Sequence, residues 1–357
     1  MAGTEIFTGI PERRFQELLD RFGDLRIAVL GDFFLDKYLE VDPRLAETSL
    51  ETGKVAHQVV RIRHSPGAAG TIVANLASLG AGRIYALGFT GTDGEGEELR
   101  SGLREIGCDD RYLLHAPNRR TPTYLKPRDV DKPGLAGEHN RYDIKNREWL
   151  PAEIEVRLLN ALEHLLPTEV DAVIVSDQVV EEECGVVTNV VRRRLEELAR
   201  RWSRVTFWVD SRARIDRYRF AVTKPNQFEA VGWTNPPDGA TVPLSRLRAA
   251  ARRLRKHTEA PVVVTCGERG ALVSDPGPTL VPAYRVKEPI DPTGAGDSFT
   301  AAAVLALAAG GTLPEAALFG NLAASLTIQQ LATTGTALRR DLPERYRQWL
   351  EQQGSRP

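Results

Sequence analysis

The strongest chemical signal in the chain is the nine-residue stretch 291–299, DPTGAGDSF. Gly294, Ala295 and Gly296 come just before an apolar run that predicts a buried helix over 299–307. Their amides would lie at the helix N-terminus, where unpaired N–H groups and the helix dipole favour an anion such as phosphate. Asp297 is placed to accept a proton from a hydroxyl that attacks that phosphate. The alternative is an ordinary glycine-rich loop with a capping aspartate.

Apolar runs and amphipathic helical patterns alternate along most of the chain. Buried strands are predicted at 26–32, 83–88, 172–177, 205–210 and 261–265, and helices at 70–79, 95–106, 186–202 and 244–257. Further helices are predicted before about residue 24 and over 343–353. This alternation predicts a three-layer α/β/α fold, with a mainly parallel central sheet covered by helices on both faces.

Two segments, 37–65 and 119–145, interrupt the alternation. They contain strings such as QVVRIR (58–63) and TPTYLK (121–126), whose alternation is typical of half-exposed strands. We expect them to form a small β-lid, with a mobile turn at 131–137. The predicted organisation is an N-terminal helical extension over 1–24, followed by one domain over 25–357 that includes the lid.

The 291–299 stretch resembles the signature of the ribokinase-like, or phosphofructokinase-B, family of carbohydrate kinases, and the resemblance covers roughly residues 25–340. It implies ATP-dependent phosphorylation of a hydroxyl. Asp297 would be the catalytic base, and the amides of residues 294–296 would form an anion hole for the transferred phosphoryl group. The spacing of residues within 31–38, of Glu47 after Arg44, and within 75–80 looks closest to the heptose 7-phosphate kinase branch, which acts in ADP-heptose synthesis. A sugar or sugar phosphate is therefore the implied acceptor.

Asn226 and Glu229, in the string KPNQFE, lie on one side of a single helical turn. In the family this motif organises Mg²⁺ and the phosphates, with the glutamate acting through water. Mg²⁺ keeps several of its waters, so one carboxylate is chemically sufficient. A helix-capping pair explains the same spacing equally well.

Other matches surround the nucleotide. Thr265, Gly267 and Gly270 correspond to the family's nucleotide-side turn, although a tight turn into a hairpin would use the same glycines.

Two later matches lie near the adenine in the family. Asn321, on a helix predicted over 318–331, takes an adenine-side position, and a packed polar residue is the alternative. Gly335 lies in the loop that flanks the adenine and a monovalent-cation (K⁺) site. Asp291 matches a ligand of that cation, or simply caps its turn.

At the acceptor end, Asp36 matches a carboxylate that binds sugar hydroxyls, and an ionised aspartate accepts from two hydroxyls at once. A second family signature, usually Gly-Gly followed by Asn, corresponds to 65–71, SPGAAGT. Gly67 is kept, but Ala68 replaces the second glycine and Thr71 the asparagine, so we expect a narrower pocket. The lid cations Lys126, Arg128 and Arg141 are candidates to hold an acceptor phosphate, whereas exposed cations are more often only solvated.

Bulk composition excludes several partner classes. Lys plus Arg (47) nearly balance Asp plus Glu (48), so no overall field favours nucleic acid or anionic lipid. Cys108, Cys184 and Cys266 lie far apart, which favours a reducing cytoplasm over a disulfide framework. No apolar run is long enough to cross a bilayer, and no secretory signal is present. We expect a cytoplasmic protein that binds ATP and a small sugar, with the lid as a candidate homodimer surface.

The competing hypothesis is a ligand sensor or scaffold that kept the fold and lost catalysis. Ala68 and Thr71 favour it because they depart from the family pattern, whereas the intact Asp297 and Glu229 oppose it. No GxxxxGK[ST], GxSxG or HExxH motif indicates another enzyme class.

Overall fold

The computed structural model describes residues 4–132, 134–237, 239–287, 289–331 and 334–354 of the 357-residue chain. The strands are β1 (Glu5–Ile6), β2 (Arg26–Gly31), β3 (Phe33–Val41), β4 (Glu47–Thr48), β5 (Val55–Ala56), β6 (Val59–Ala68), β7 (Arg83–Thr90), β8 (Leu113–His115), β9 (Thr123–Asp129), β10 (Tyr142–Ile144), β11 (Ala172–Asp177), β12 (Thr206–Ser211), β13 (Val222–Thr223), β14 (Val263–Thr265), β15 (Ala271–Val273) and β16 (Thr279–Val281). The α-helices are α1 (Glu12–Asp20), α2 (Ala69–Ser78), α3 (Gly94–Glu105), α4 (Ala152–Leu165), α5 (Asn189–Arg201), α6 (Leu244–Thr258), α7 (Ala295–Ala308), α8 (Leu313–Thr327) and α9 (Leu342–Gly354).

The central sheet has the strand order β13-β12-β11-β2-β7-β8, and every pairing in it is parallel. Its middle strands are apolar along almost their whole length because helices cover both of their faces. The carboxyl ends of parallel strands meet at one edge of the sheet. Asp32, Asp177, Asp210 and Lys224 lie at or just after those ends. This edge is therefore the place for a polar site.

Helices cover the central sheet on both sides. One core cluster joins the sheet to α2, α3, α7 and α8, and a second joins it to α4 and α5. A smaller cluster packs α6 against β14 and β15. The predicted three-layer α/β/α fold is confirmed. Among the described residues, every helix is too short or too polar to cross a bilayer.

A second sheet, in the order β1-β16-β15-β14, continues the central one through a parallel bridge between Thr223 and Val262. Its first strand comes from the N-terminal segment, because β1 pairs with β16. The Phe15 ring of α1 stacks on Phe319 and on Tyr346, each at 4.4 Å between ring centroids. Residues 4–24 are thus packed into the same core as α8 and α9.

A third sheet, in the order β10-β9-β3-β6, is the predicted lid. β3 pairs antiparallel with β6 and parallel with β9, while β4 and β5 form a separate small hairpin. The first lid segment, β3 to β6, runs from Phe33 to Ala68, beyond the predicted range 37–65, because its ladder continues to the edge of the central sheet. β9 and β10 lie within the second predicted segment, 119–145. The predicted mobile turn at 131–137 includes a residue outside the described ones, and 134–137 form a 3₁₀ turn.

Two helices differ from the prediction by four or more residues at a boundary. α7 begins at Ala295, four residues before the apolar run, because Gly294 adopts the left-handed conformation that starts it. The helix predicted over 318–331 runs over Leu313–Thr327. Its start is set by a capping box between Thr312 and Glu315, a polar signal outside the apolar pattern.

Candidate active site

The N-terminus of α7 presents open backbone amides. Gly294 caps the helix with φ +78°, and Ser298 N–H donates to its carbonyl at 3.0 Å. The amides of Gly294, Gly296 and Asp297 donate to no described residue. Ala295 N–H donates to Pro292 O at 3.1 Å, so the expectation of an open amide is wrong at this position, because a tight turn precedes the helix. The anion cradle is formed by the other three amides.

The carboxyl group of Asp297 is buried at this helix start, although the residue as a whole is partly exposed, and its pKa is strongly shifted. Burial and the nearby charge of Asp210 raise its pKa to about 7, Asp36 adds to the shift, and Lys224 opposes it. At neutral pH the carboxyl group is therefore divided between its protonated and ionised forms. That balance suits a general base, which must take up a proton during the reaction.

Lys224 is a buried cation beside the cradle. Its Nζ lies 2.9 Å from Asp210 Oδ2, so the pair joins the ends of β12 and β13. A Cβ added at Gly296 would lie 3.6 Å from the same Nζ, which places the ammonium group next to the helix start. Burial disfavours its charge, but Asp210, Glu229 and Asp297 outweigh burial and raise the pKa of Lys224.

Sequence reasoning assigned no role to Lys224 or Asp210. Asp210 ends a predicted strand and Lys224 follows the short run 220–223, so position at the carboxyl end of a parallel strand was the available signal. Their pairing depends on the strand order, which the sequence pattern does not specify.

Asn226 and Glu229 form a reciprocal cap. Asn226 Oδ1 accepts from Phe228 N and Glu229 N at 2.8 and 2.9 Å, and Glu229 Oε2 accepts from Asn226 N at 2.7 Å. The capping alternative is confirmed, yet Glu229 also belongs to the charged cluster. Burial and Asp210 raise its pKa to about 7, while Lys224 opposes the shift.

Glu229 and Asp210 supply oxygen ligands of the kind that Mg²⁺ prefers, and a cation would relieve their repulsion. No group of three or more His, Cys, Asp or Glu that could hold a metal occurs in the described part of the chain. The residues present fit an ion that keeps most of its waters.

The turn at 265–270 lies against the Asn226 segment. Thr265 N–H donates to Pro225 O at 3.0 Å, and Thr265 bridges to Asn226. Gly267 and Gly270 have φ of +59° and +99°, and a Cβ at Gly270 would meet Val281 O at 2.0 Å. The β14–β15 hairpin alternative is confirmed, and the nucleotide-binding role of these residues stays a prediction.

The remaining nucleotide-side residues all have structural contacts. Asn321 Nδ2 donates to Val281 O at 2.9 Å, as expected of a packed polar residue. Asp291 Oδ1 accepts from Thr293 N at 3.0 Å and thus caps its turn. Gly335 is buried beside the side chain of Gln330. Their roles toward adenine and K⁺ stay predictions.

The acceptor-side residues lie within electrostatic reach of the base. Asp36 raises the pKa of Asp297, as noted above, and pairs with Lys126 Nζ at 3.0 Å. A Cβ at Gly67 would lie 3.1 Å from Asp36 Cγ, so glycine allows this close approach. The Thr71 methyl carbon lies 3.5 Å from the Cβ position of Gly294, which brings the starts of α2 and α7 together.

The lid cations differ in their positions. Lys126 lies on the same lid face as Asp36, since it pairs with Tyr38, two residues along β3. Arg141 is held by Asp143 at 2.6 Å, with its guanidinium 4.2 Å from the Tyr124 ring centroid. Arg128 Nη2 donates to the Lys132 carbonyl at 3.4 Å, near the end of β9. The structure thus brings Lys126 to Asp36 and leaves Arg128 farther along the lid.

Comparison with solved structures reveals the same fold. Phosphofructokinase-2 from Escherichia coli in complex with potassium matches with a TM-score of 0.68 at 22% identity, over 92% of this chain and 99% of that one. Arabidopsis thaliana ribokinase complexed with ribose and ATP matches with a TM-score of 0.62 at 18% identity, over 90% of this chain and 98% of that one. The ribokinase-like fold is confirmed.

Curated relatives include bifunctional HldE proteins. That of Shewanella baltica strain OS185 is 30% identical over 320 residues, 88% of this chain and 62% of the relative. That of Bradyrhizobium sp. strain ORS 278 is 30% identical over 346 residues, 93% of this chain and 66% of the relative. The chain therefore spans less than two thirds of these relatives' length.

The family model described as pfkB family carbohydrate kinase matches residues 33–339. The predicted enzyme class, an ATP-dependent carbohydrate kinase, agrees with that family. On this match the chain belongs to the pfkB family of carbohydrate kinases.

Proposed function

We propose that this protein transfers the γ-phosphoryl group of ATP to a hydroxyl of a sugar phosphate, with Asp297 as the general base. The observation that carries the proposal is the placement of Asp297, whose pKa is about 7, in a helix turn with open amides. A buried ammonium group, Lys224, lies beside the same turn. Few other functions would need both an anion-binding helix turn and a base whose pKa lies near neutral pH.

In the proposed reaction the acceptor oxygen attacks the γ-phosphorus and its proton passes to Asp297. The new O–P bond forms as the bond to the oxygen between the β- and γ-phosphorus breaks, and ADP leaves. The amides of Gly294, Gly296 and Asp297 hold the phosphoryl oxygens as their charge spreads. Lys224 adds a positive charge, and because its side chain is buried, water screens that charge little and it acts strongly.

The nucleotide and the cations are assigned from the family resemblance together with this geometry. Glu229 and Asp210 would hold Mg²⁺ through water, and bound Mg²⁺ would neutralise phosphate charge. ATP would lie along the cradle toward a rim formed by Asn226, Thr265, Gly267, Gly270, Asn321 and Gly335. K⁺ would bind beside Asp291.

The acceptor would bind between Asp36 and the start of α2, where Gly67, Ala68 and Thr71 lie. One row of the lid sheet supports a phosphate on that acceptor. Arg63 and Lys126 both pair with Tyr38 and so flank it, on the lid face that also carries Asp36 two residues earlier on β3. Alternate residues of a strand are about 7 Å apart, so these cations would reach a phosphate on the far end of a sugar bound at Asp36. Arg141 would assist from β10.

Heptose 7-phosphate is the acceptor we favour, because of the resemblance to that kinase branch and the HldE relatives. It carries its phosphate at the end of a seven-carbon chain, which suits the spacing between Asp36 and the lid cations.

The wider organisation follows from the same proposal. We place the enzyme in the cytoplasm, where ATP is available. We treat 25–357 as the kinase domain with 1–24 as an extension packed on it. We also propose a homodimer through the lid, whose edge strand β6 exposes Val60 and Ile62 at 51% and 54%.

ATP consumption across a panel of sugars and sugar phosphates, including heptose 7-phosphate, tests the proposed function. We expect turnover with at least one sugar phosphate, and turnover about 10²–10⁴-fold lower with the Asp297→Asn variant. ATP binding without turnover of any acceptor would instead support the sensor hypothesis.

A further inference from the structure

Segment 178–186 follows β11 directly and forms turns but no helix or strand. The segment and the lid line one pocket, with residues 178–181 on one side and the rings of Phe34 and Tyr124 on the other. Tyr124 pairs with Asp36, and Phe34 precedes Asp36 by two residues on β3, so both rings lie on the lid face that carries Asp36. The segment is therefore a wall that faces the lid beside Asp36.

Asp32, which directly precedes lid strand β3, holds this segment by its carboxylate. The carboxylate accepts from the backbone N–H groups of Gln178 and Val179 at 2.8 and 2.9 Å, and from that of Val186 at 2.7 Å. The carbonyl oxygen of Asp32 accepts from Ala69 N–H at 3.0 Å, at the start of α2. One residue therefore joins the first lid strand, the start of α2 and the segment.

Two further features fix the segment in this position. The buried Arg214 donates from Nη1 to Val179 O at 2.8 Å and from Nη2 to Val180 O at 2.6 Å, so the carbonyl groups are held as well as the amides. A Cβ added at Gly185 would lie 2.8 Å from Asp32 Oδ1, so glycine allows the segment to fold back onto the carboxylate. The path of the segment thus depends on buried charges of both signs.

An ionisable group at Asp32 is costly for the fold. Burial and the nearby charge of Asp177 raise the pKa of Asp32 to about 6, although the three amides oppose the shift. The ionised carboxylate therefore destabilises the folded protein above about pH 6 relative to the protonated form. The two oxygens of a carboxylate accept all three N–H groups at once, and a segment without helix or strand offers those groups no ladder partner. The charge is thus placed where it determines the shape of the segment.

We propose that Asp32 is a positioning residue for acceptor binding, which holds segment 178–186 against the lid so that an acceptor bound at Asp36 meets a preformed wall. The inference rests on the proposed kinase function and adds to it a residue that acts through the backbone of its neighbours. A displacement of about 1 Å in a positioning element can cost about 100-fold in efficiency. Asp32 has no part in the proton transfer to Asp297, so its loss should affect KM for the acceptor more than kcat.

The test compares wild type with Asp32→Asn, with heptose 7-phosphate, mannose 6-phosphate and fructose 6-phosphate as acceptors. Asparagine keeps one acceptor oxygen but turns an NH₂ group toward a backbone N–H, so at least one contact is lost. For each acceptor that wild type phosphorylates, KM should rise about ten- to hundredfold, while kcat and KM for ATP stay within about twofold. Hydrogen–deuterium exchange of the backbone amides in 178–186 should become at least about tenfold faster.

Gly185→Ala tests the same contact while keeping the charge. Its methyl group would displace the segment from Asp32, so the same rise in KM for the acceptor is expected. This variant carries the kinetic test if Asp32→Asn does not fold.

Glu315→Gln is the matched control, because Glu315 is also a buried carboxylate that accepts a backbone N–H, that of Thr312 at 2.6 Å, but lies on α8. It should leave every KM within about twofold. If wild type phosphorylates an acceptor and the Asp32 and Gly185 variants keep its KM within about twofold, the positioning role is rejected and the kinase function stands. Equal rises in KM for acceptor and ATP, or unchanged exchange in Asp32→Asn, would also reject it. If wild type phosphorylates none of these acceptors, the proposed function fails and the inference falls with it.

Discussion

The phosphate end and the acceptor end of the crevice are built in different ways. At the phosphate end, backbone amides of α7 lie beside a charged cluster in which Asp210 belongs to β12, Lys224 directly follows β13 and Glu229 lies in the turn after it. At the acceptor end, side chains such as Asp36 and Lys126 project from a lid sheet whose outer strand is largely exposed. The positions of backbone donors are fixed by the fold, whereas side chains on the lid can be replaced by mutation without changing the fold. We therefore expect changes at the first end to lower kcat and changes at the second to alter acceptor binding.

The largest effect is expected for Asp297→Asn. Loss of the general base should lower kcat by about 10²–10⁴, with little change in KM for ATP. At pH 8 the variant should be no less stable than wild type. A raised folded-state pKa means that the ionised carboxylate destabilises the folded protein above pH 7, and asparagine carries no such charge. Steady-state kinetics and thermal unfolding check both points. A kcat within about twofold of wild type would reject the assignment of the base.

The next largest effect is expected when Lys224, the buried cation at the phosphate end, is replaced by methionine. We expect kcat to fall by about 10²–10³, as for the loss of one preorganised donor. Asp210 would be left buried without its partner, so stability should drop by about 3–5 kcal/mol in urea unfolding. The double variant Lys224→Met/Asp210→Asn should recover part of the stability but not the turnover. Recovery of both would mean that Lys224 serves the fold alone.

Asp36→Asn should weaken binding of the sugar phosphate without affecting binding of ATP. Removing a charged hydrogen-bond acceptor should raise KM for the sugar phosphate about ten- to hundredfold and leave KM for ATP within twofold. Asp42→Asn is the matched control, since this aspartate directly follows the same strand, β3, but pairs with Arg44. Equal effects on both substrates would mean that the two ends are not separable.

The fold and the phosphate-end motif could be predicted from local pattern. Buried runs, helix periodicity and small residues before an apolar helix are local signals, and they located β2, α2 and the start of α7 to within a few residues. The Asp210–Lys224 pair could not be predicted because it depends on which strands become neighbours. The hydrogen bond of the Ala295 amide depends on the exact turn preceding α7.

The acceptor end was less predictable for a related reason. Its signature departs from the family at Ala68, and a one-letter change from glycine to alanine does not reveal that the backbone keeps the conformation glycine favours. That conformation appears only when the strand and helix are seen to join directly. The backbone conformation of Ala68 at the acceptor end and the pairing of Asp210 at the phosphate end could therefore not be predicted from local sequence patterns.

The most direct test of Asp297 as the proton acceptor is the pH dependence of kcat/KM for the acceptor in wild type. Because only the ionised carboxylate accepts a proton, kcat/KM should fall about tenfold per pH unit below a pKa of about 7 and level off above it. The residual activity of Asp297→Asn should lack this break. A wild-type profile that is flat between about pH 5.5 and 8, or the same break in the variant, would contradict the assignment.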